Sequence, residues 1–260
     1  MASTNTAAPA PPRKKNYVNN RDLLAELQRS KNTYCEFLGP EFARYDAIVA
    51  SEGEITAEAV ARAREARSGD AGADAPVVFR VMCGAHVPEE TDEAVLRRRR
   101  RGCTKKRTPF PPFRHFWARE EENGGLSLVE VGRSHWRGGF ANGGFCPDGG
   151  RPTEELARMW MAIVRGYGSR GSWRGYSWRE DFESAALLQL TQTGLQFCEG
   201  RGSNVFAYYS TVVANAFKRA LGGEHRQRDI RDEMLMGLGE APSWSRQADE
   251  ALASGTGAGG

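Results

Sequence analysis

Aromatic rings interleaved with cations are the residues of this chain whose types and spacing suit chemistry, and that chemistry is the binding of a polyanion. Phe206, Tyr208 and Tyr209 precede Lys218 and Arg219 within one helical pattern. Unpaired bases stack on aromatic side chains, at roughly 1–3 kcal/mol each, while cations track the phosphates. Tyr208 lies off the apolar stripe that includes Phe206 and Tyr209, which makes it the better stacking candidate. Residues 201–231 hold Arg201, Lys218, Arg219, Arg226, Arg228 and Arg231 against only Glu224 and Asp229. Upstream, Gly168 to Trp178 gathers Arg170, Trp173, Arg174, Tyr176 and Trp178 into one turn. The candidate DNA-binding residues are therefore Tyr208, Lys218, Arg219, Arg174, Arg226 and Arg228, with a merely solvated helix face as the competing reading. A second basic block runs from Arg97 to Arg107, with eight cations in eleven residues. Such a block repels itself and suits an interaction tail as well as a solvated loop.

Catalysis finds no support. The chain lacks a G-x-x-x-x-G-K-[ST] phosphate loop, an H-E-x-x-H helix and a G-x-S-x-G elbow. Cys83-x-x-His86 has the spacing of a metal-ligand pair, and Cys103, His115, His135 and Cys146 offer further ligands. No second short pair completes the grammar of a structural zinc module. Ordinary buried cysteines and surface histidines are the expectation, with no cofactor and no enzyme activity. The five cysteines are an odd number spread over 260 residues, which argues against a disulfide framework. No apolar run approaches the roughly 18 residues of a membrane span, and the Ala/Pro-rich start lacks the apolar segment of a signal peptide. These features fit a soluble protein of a reducing cytoplasm.

The elements that must hold the candidate residues read as helices. Asn19 or Asn20 caps a helix over about 21–31, with Leu23, Leu24 and Leu27 on its apolar side. Pro152-Thr153-Glu154-Glu155 opens another, striped by Leu156, Met159, Trp160, Ile163 and Val164 and ending near Gly166. Ser177-x-x-Glu180 is a capping box for a third. Its stripe is Phe182, Ala186, Leu190, Thr193 and Phe197, and Glu199 to Gly202 stops it. Ser203 or Asn204 caps a fourth, with Phe206, Tyr209, Val213, Ala216, Phe217 and Ala220 on its buried side. Gly222-Gly223 should end that helix, followed by a basic helical extension to about Met236. Residues 40–49 and 54–67 are further helix candidates, and residues 68–75 form a linker. Val77–Met82 and Leu126–Val131 are short β-branched runs that suit strands paired with each other. Residues 132–150 read as loop.

Two separated motifs carry a family resemblance. One is Trp173-Arg-Gly-Tyr176-Ser-Trp178-Arg-Glu-Asp-Phe182 followed by Asn204-Val-Phe206-Ala-Tyr208-Tyr209. The other is Asn16-Tyr17-Val18-Asn19-Asn20 near the start. In that order they resemble the late-transcription sigma factors of T4-type bacteriophages. The resemblance implies that the 180–197 helix docks on the coiled coil of the largest subunit of a bacterial RNA polymerase core, through Asp181, Glu183, Gln189 and Gln192. It implies that the 205–221 helix faces promoter DNA at an AT-rich, −10-like element. The chain departs from the family in several places. Ala185 and Ala186 stand where an acidic residue and a glycine are usual, and Val205 replaces a proline. Val212 and Val213 stand where primary sigma factors carry paired tryptophans. The end of the chain, with Trp244, Asp249, Glu250 and Leu252, only weakly matches the tail with which the family grips a sliding clamp, so clamp dependence is not carried over from the family, and a sliding clamp or a co-activator stays open as a partner.

The expected fold is mainly α. It comprises a disordered arm over 1–15, a sigma region-two-like bundle from 16–34 and 152–236, an irregular and partly β insertion over 35–151 that holds the 97–107 arm, and a flexible tail over 237–260. The expected function is a phage sigma factor working in the host cytoplasm with no membrane partner. The alternative is a nucleic-acid-binding structural or regulatory protein that does not act through polymerase.

Overall fold

The computed structural model describes residues 18–67, 75–89, 108–121 and 125–255, without the side chains of 249, 250 and 252–255. The expected arm at 1–15, the basic block at 97–107 and most of the 68–75 linker lie outside these residues. Four helices form where periodicity places them, three of them with the expected caps. They are α1 (Asn20–Asn32), α3 (Glu154–Gly168), α4 (Arg179–Thr193) and α5 (Val205–Gly237), with α2 (Ala57–Ala66) elsewhere. Asn19, Thr153 and Asn204 each accept a first-turn N–H, from Asp22, Leu156 and Ala207 at 2.8, 3.2 and 2.9 Å. Leu23 and Leu27 of α1, Leu156, Trp160 and Val164 of α3, Phe182, Ala186 and Leu190 of α4, and Tyr209, Val213 and Phe217 of α5 share one buried core.

The expectation of a mainly α protein is wrong. The molecule is 53% helix and 15% strand. Between α1 and α3 lie β1 (Cys35–Phe37), β2 (Ala47–Val49), β3 (Val77–Val81), β4 (Arg114–Glu120) and β5 (Leu126–Ser134), which form a five-stranded sheet in the order β1-β5-β4-β3-β2. Neighbours are antiparallel except for β2 and β3. The two β-branched runs do become β3 and β5, but β4 lies between them and pairs with both. Residues 40–49 are not a helix, because Pro40–Ala43 makes only a short 3-10 turn before β2. Part of the expected 132–150 loop is a two-stranded ribbon, β6 (Trp136–Arg137) with β7 (Gly144–Phe145).

Strand alternation gives the sheet two different faces. Val77, Phe79, Val81, Phe116 and Ala118 pack with Ile55, Val60 and Ala63 in a small second core under α2. Arg80 and its cross-strand neighbour His115 point the other way, toward the helices, and both are fully buried. The Arg80 guanidinium lies between the rings of Tyr45 and Phe113, at 4.0 and 3.8 Å from their centroids. Its Nε donates to His115 Nε2 at 3.0 Å, and its Nη1 donates to Glu199 at 3.0 Å. The same Glu199 oxygen accepts from Lys31 Nζ at 2.9 Å, and Lys31 also donates to the Phe197 carbonyl at 2.7 Å. One carboxylate thus joins α1, the sheet and the connection between α4 and α5. Burial pulls the Lys31 ammonium below the usual lysine range, and Glu199 opposes that shift. The expectation of surface histidines fails here, since His115 and His135 have no exposed surface.

The helix ends also differ from the sequence reading. Ser177 caps nothing: α4 begins at Arg179, and Trp178 occupies the cap position without a side-chain bond. The ring of Trp173 meets Phe182 and Phe217 at 5.9 and 5.3 Å, so packing rather than a capping box sets the start. α4 stops at Thr193, and 3-10 turns at Gly194–Gln196 and Glu199–Arg201 carry the chain to α5. Gly194 is required here, because a side chain would strike the Trp160 ring. α5 runs straight through Gly222 and Gly223. Two glycines cost about 1 kcal/mol each relative to alanine, too little to break a helix flanked by strong helix formers. Val205, not Phe206, takes the first buried position of α5. The expected flexible tail holds a helix, α6 (Trp244–Gly255), clasped to α5 by Ser243 N–H and Oγ bonds to buried Asp232 at 3.1 and 2.5 Å.

Replacing Glu199 with Leu leaves Lys31 and Arg80 buried without their shared partner. We expect a loss of about 3–5 kcal/mol in urea unfolding, the cost of breaking a buried ion pair on one side. A second expectation concerns pH. His115 donates from Nδ1 to the Phe42 carbonyl and accepts from Arg80 at Nε2, so it is neutral. Burial and the Arg80 charge push it down to about 3. Below about pH 6.5 the unfolded histidine takes up a proton that the folded one refuses, so its contribution is full above that pH and is lost as pH falls toward 3. This one group adds up to about 1.4 kcal/mol per pH unit. His135, pushed down to about 3 by burial and by His86, adds a like share, so His115→Gln should remove only its own part of the slope from unfolding curves taken at successive pH values.

Candidate functional site

The two motifs behind the family resemblance meet in space. Asn20 Nδ2 donates to the Ser203 carbonyl at 2.7 Å, and Asn20 Oδ1 accepts from Phe206 N–H at 3.1 Å. A single amide therefore clasps the first turn of α1 to the first turn of α5, across 183 residues of sequence. It fills backbone groups that a helix N-terminus leaves open. Val18 packs on the same helical core, whereas Asn16 and Tyr17 lie outside the described residues.

The four candidate polymerase-binding residues do not share a face. Positions three and four apart on a helix lie on one side, so Asp181, Ser184, Leu188 and Thr191 form a stripe, with Gln192 at its edge. All five are exposed, and Leu188 in the middle is 60% exposed. Glu183 instead lies against Gly168 and pairs with Arg179 at 3.4 Å. Gln189 accepts from Arg219 Nη1 at 3.0 Å, tying α4 to α5. Ala186 is buried, so its departure from the family pattern bears on packing, and only half-buried Ala185 touches the surface.

The candidate DNA-binding residues are likewise dispersed. Tyr208 is half-buried: its hydroxyl donates to the Thr193 carbonyl at 2.7 Å, and its ring meets Phe197 and Tyr209 at 5.5 and 5.6 Å. Burial raises its pKa, partly offset by the Thr193 bond. Lys218 and Arg219 are exposed further along α5, as is Arg226. A rise of 1.5 Å per residue separates Tyr208 from Arg228 by about 30 Å, so no one patch holds them all. Arg174 is exposed at the end of the single helical turn Gly171–Arg174. Arg228 lines a cleft of about 470 Å³ together with Tyr176, Trp178 and Arg231. Tyr176 and Trp178 are 41% and 52% exposed there. Those two rings were visible as a dense aromatic turn. Their pairing with α5 has no signal in the sequence, since spacing along one helix does not say which element its face meets.

The metal-ligand candidates are engaged elsewhere. Cys83 Sγ accepts from Arg114 at 3.1 Å, His86 Nε2 bonds the Ser134 carbonyl at 2.8 Å, and His115 serves Arg80. His135, at a positive φ of 55°, lies against the Phe110 ring at 4.2 Å, and its carbonyl accepts from Cys146 N–H at 2.7 Å. Burial holds Cys35 up to about 12, so its thiol is inert at neutral pH. Cys103 lies outside the described residues. Among the described residues no three His, Cys, Asp or Glu side chains gather as metal ligands, and no helix is long and apolar enough to cross a membrane.

In comparisons with known proteins, no protein-family model, curated protein or solved structure matches the chain.

The packing of Tyr208 yields a measurable expectation. Tyr208→Phe should cost about 0.5–1.5 kcal/mol in urea unfolding, the worth of one hydrogen bond. Tyr208→Ala should cost more, about 2–3 kcal/mol, because ring contacts are lost as well. Unchanged stability in both variants would mark the ring as free for a ligand.

Proposed function

We propose that the chain is a sigma-like specificity factor, which binds a bacterial RNA polymerase core and directs initiation at viral late promoters. The observation that carries this reading is the Asn20 clasp. It brings the Val18-Asn19-Asn20 end of one family-like motif onto the Asn204-Val-Phe206 start of the other. A joint between the two motifs supports the reading.

The exposed stripe of α4 suits the docking side of such a factor. Leu188 is the exposed apolar side chain of that stripe, with polar groups around it, and we place it at the centre of the docking patch. Asp181 and Gln192 are among those groups, whereas Glu183 and Gln189 hold α4 in place. Melting an AT-rich element requires a separate surface for DNA, and the exposed cations of α5 and of the turn before α4 supply it.

Capture of a cognate bacterial core polymerase by the full-length chain tests the reading. Leu188→Arg changes an exposed side chain, so folding should persist while capture weakens at least about 30-fold, the effect of losing a hot spot of about 2 kcal/mol. Run-off transcription from late promoters should then require the wild-type chain. No capture by any cognate core would sink the polymerase reading in favour of a nucleic-acid-binding regulatory protein.

A further inference from the structure

We propose that the cleft between the turn before α4 and the second half of α5 is a binding slot for an unpaired nucleobase, making the protein a single-strand binder at that point. This rests on the reading of the chain as a DNA-directed factor, and it names the form of DNA and the residues that hold it. One wall is aromatic. Tyr176 and Trp178 present large exposed surfaces into the cleft. Tyr176 is fixed from below. The Tyr176 ring meets Trp173 and Phe182 at 5.9 and 6.1 Å, and Trp173 is itself buried against Phe217. A stacking ring held this way loses little freedom when a base arrives, and preorganisation of that kind lowers the cost of binding.

The other wall is one face of α5. Leu221, Glu224, Arg228 and Arg231 follow one another at steps of three, four and three, so they line the same side of the helix. Ala220 and Leu221 still border the helical core, and beyond them the only buried residue of α5 is Asp232. Arg228 makes no ion pair among the described residues, and Arg231 has only a loose one, 3.8 Å from Asp232. Uncommitted guanidinium groups beside exposed rings suit a phosphate next to a stacked base. Glu224 and Gln227 add hydrogen-bonding groups for the edge of a base, an acceptor and an amide. At about 470 Å³ the cleft falls in the range of small-ligand sites, roughly 300–1,000 Å³.

A duplex does not satisfy this wall, because its base faces are already stacked on each other. A bare anion does not use it either, since it leaves the two rings wet. Of single strand, duplex and bare anion, the strand with an exposed base face is the one that meets the aromatic and the cationic side together.

The test is fluorescence anisotropy of a labelled mixed-sequence oligonucleotide of about 20 nucleotides, single-stranded and as a duplex, with the full-length chain over a salt series. We expect the single strand to bind at least about tenfold tighter than the duplex. Trp178→Ala should weaken single-strand binding about 5- to 150-fold, the stacking range, while Trp178→Phe restores most of it. Trp178 is a surface side chain, and unfolding curves of both variants verify that the fold is retained. Arg228→Gln with Arg231→Gln should lower the salt dependence by about 0.7 per lost phosphate contact. Equal binding of single strand and duplex, no binding, or indifference to Trp178→Ala each overturns the slot. Polymerase capture without single-strand binding removes the slot alone. Single-strand binding without capture removes the polymerase reading alone.

Discussion

Glu199, a carboxylate buried between two cations, is the contact on which the rest of this molecule depends. Lys31 comes from α1, Arg80 from the middle of the sheet, and Glu199 from the connection between α4 and α5. All three are removed from water, and each charge taken out of water costs several kcal/mol before any attraction is counted. What offsets the cost is the number of groups engaged. Arg80 is held by two rings, a histidine and the carboxylate, and Lys31 adds a carbonyl to its charge partner. A hydrophobic joint would bind as well, but it would tolerate sliding. A charged joint fixes register, because any shift leaves an ion buried without its partner. Together with the apolar core that α1, α3, α4 and α5 share, it joins the α4–α5 connection to α1 and to the sheet.

From that joint outward, the surfaces take their positions in order. The 3-10 turns around Glu199 end where Asn204 caps α5, and Asn20 ties that cap to the start of α1. With both ends of the connection pinned, α4 presents its Leu188 stripe outward. α5 then continues beyond the core as a helix of 33 residues, long enough to carry Arg228 across to the Tyr176–Trp178 turn. The cleft therefore depends on the persistence of α5 through Gly222 and Gly223. Had the helix broken there, its basic half would not face the aromatic turn.

The helices were legible because their signals are local. A cap at Asn19, Thr153 or Asn204 acts within three residues, and an apolar stripe repeats within each helix. The sheet was only half legible. β3 and β5 carry β-branched runs, but β4 reads Arg114-His-Phe-Trp-Ala-Arg-Glu, with charge at both ends and a histidine inside. Its one buried polar residue is held by partners far away in sequence: His115 needs Arg80, and Arg80 needs Glu199, which is 119 residues further on. Nothing local announces such a residue as core. Glu199 itself sits in Glu-Gly-Arg-Gly, a composition that describes a solvated turn. The same blindness affected the site. Tyr208 looked free because its stripe was counted from Phe206, one residue out of phase with Val205. The hydroxyl partner at Thr193 lies on another helix. Gly222-Gly223 looked like a stop, which cut α5 before its arginines could be placed opposite Trp178.

α4 connects two surfaces that the sequence had assigned to different helices. Trp178 occupies its cap, and Asp181 begins the outward stripe one turn later. A partner on the Leu188 stripe and a base on Trp178 would therefore sit at neighbouring points of one rigid element, whose core-facing side is fixed by Phe182, Ala186 and Leu190. Rigid coupling of this kind transmits position rather than conformational change. A strand held at Trp178 would be delivered at a set distance from whatever binds the stripe. That geometry is what a factor needs if its work is to present a melted strand to a larger enzyme. It is also why the two surfaces are best perturbed separately: Leu188 and Trp178 both lie outside the core, so neither disturbs the Glu199 joint that places them.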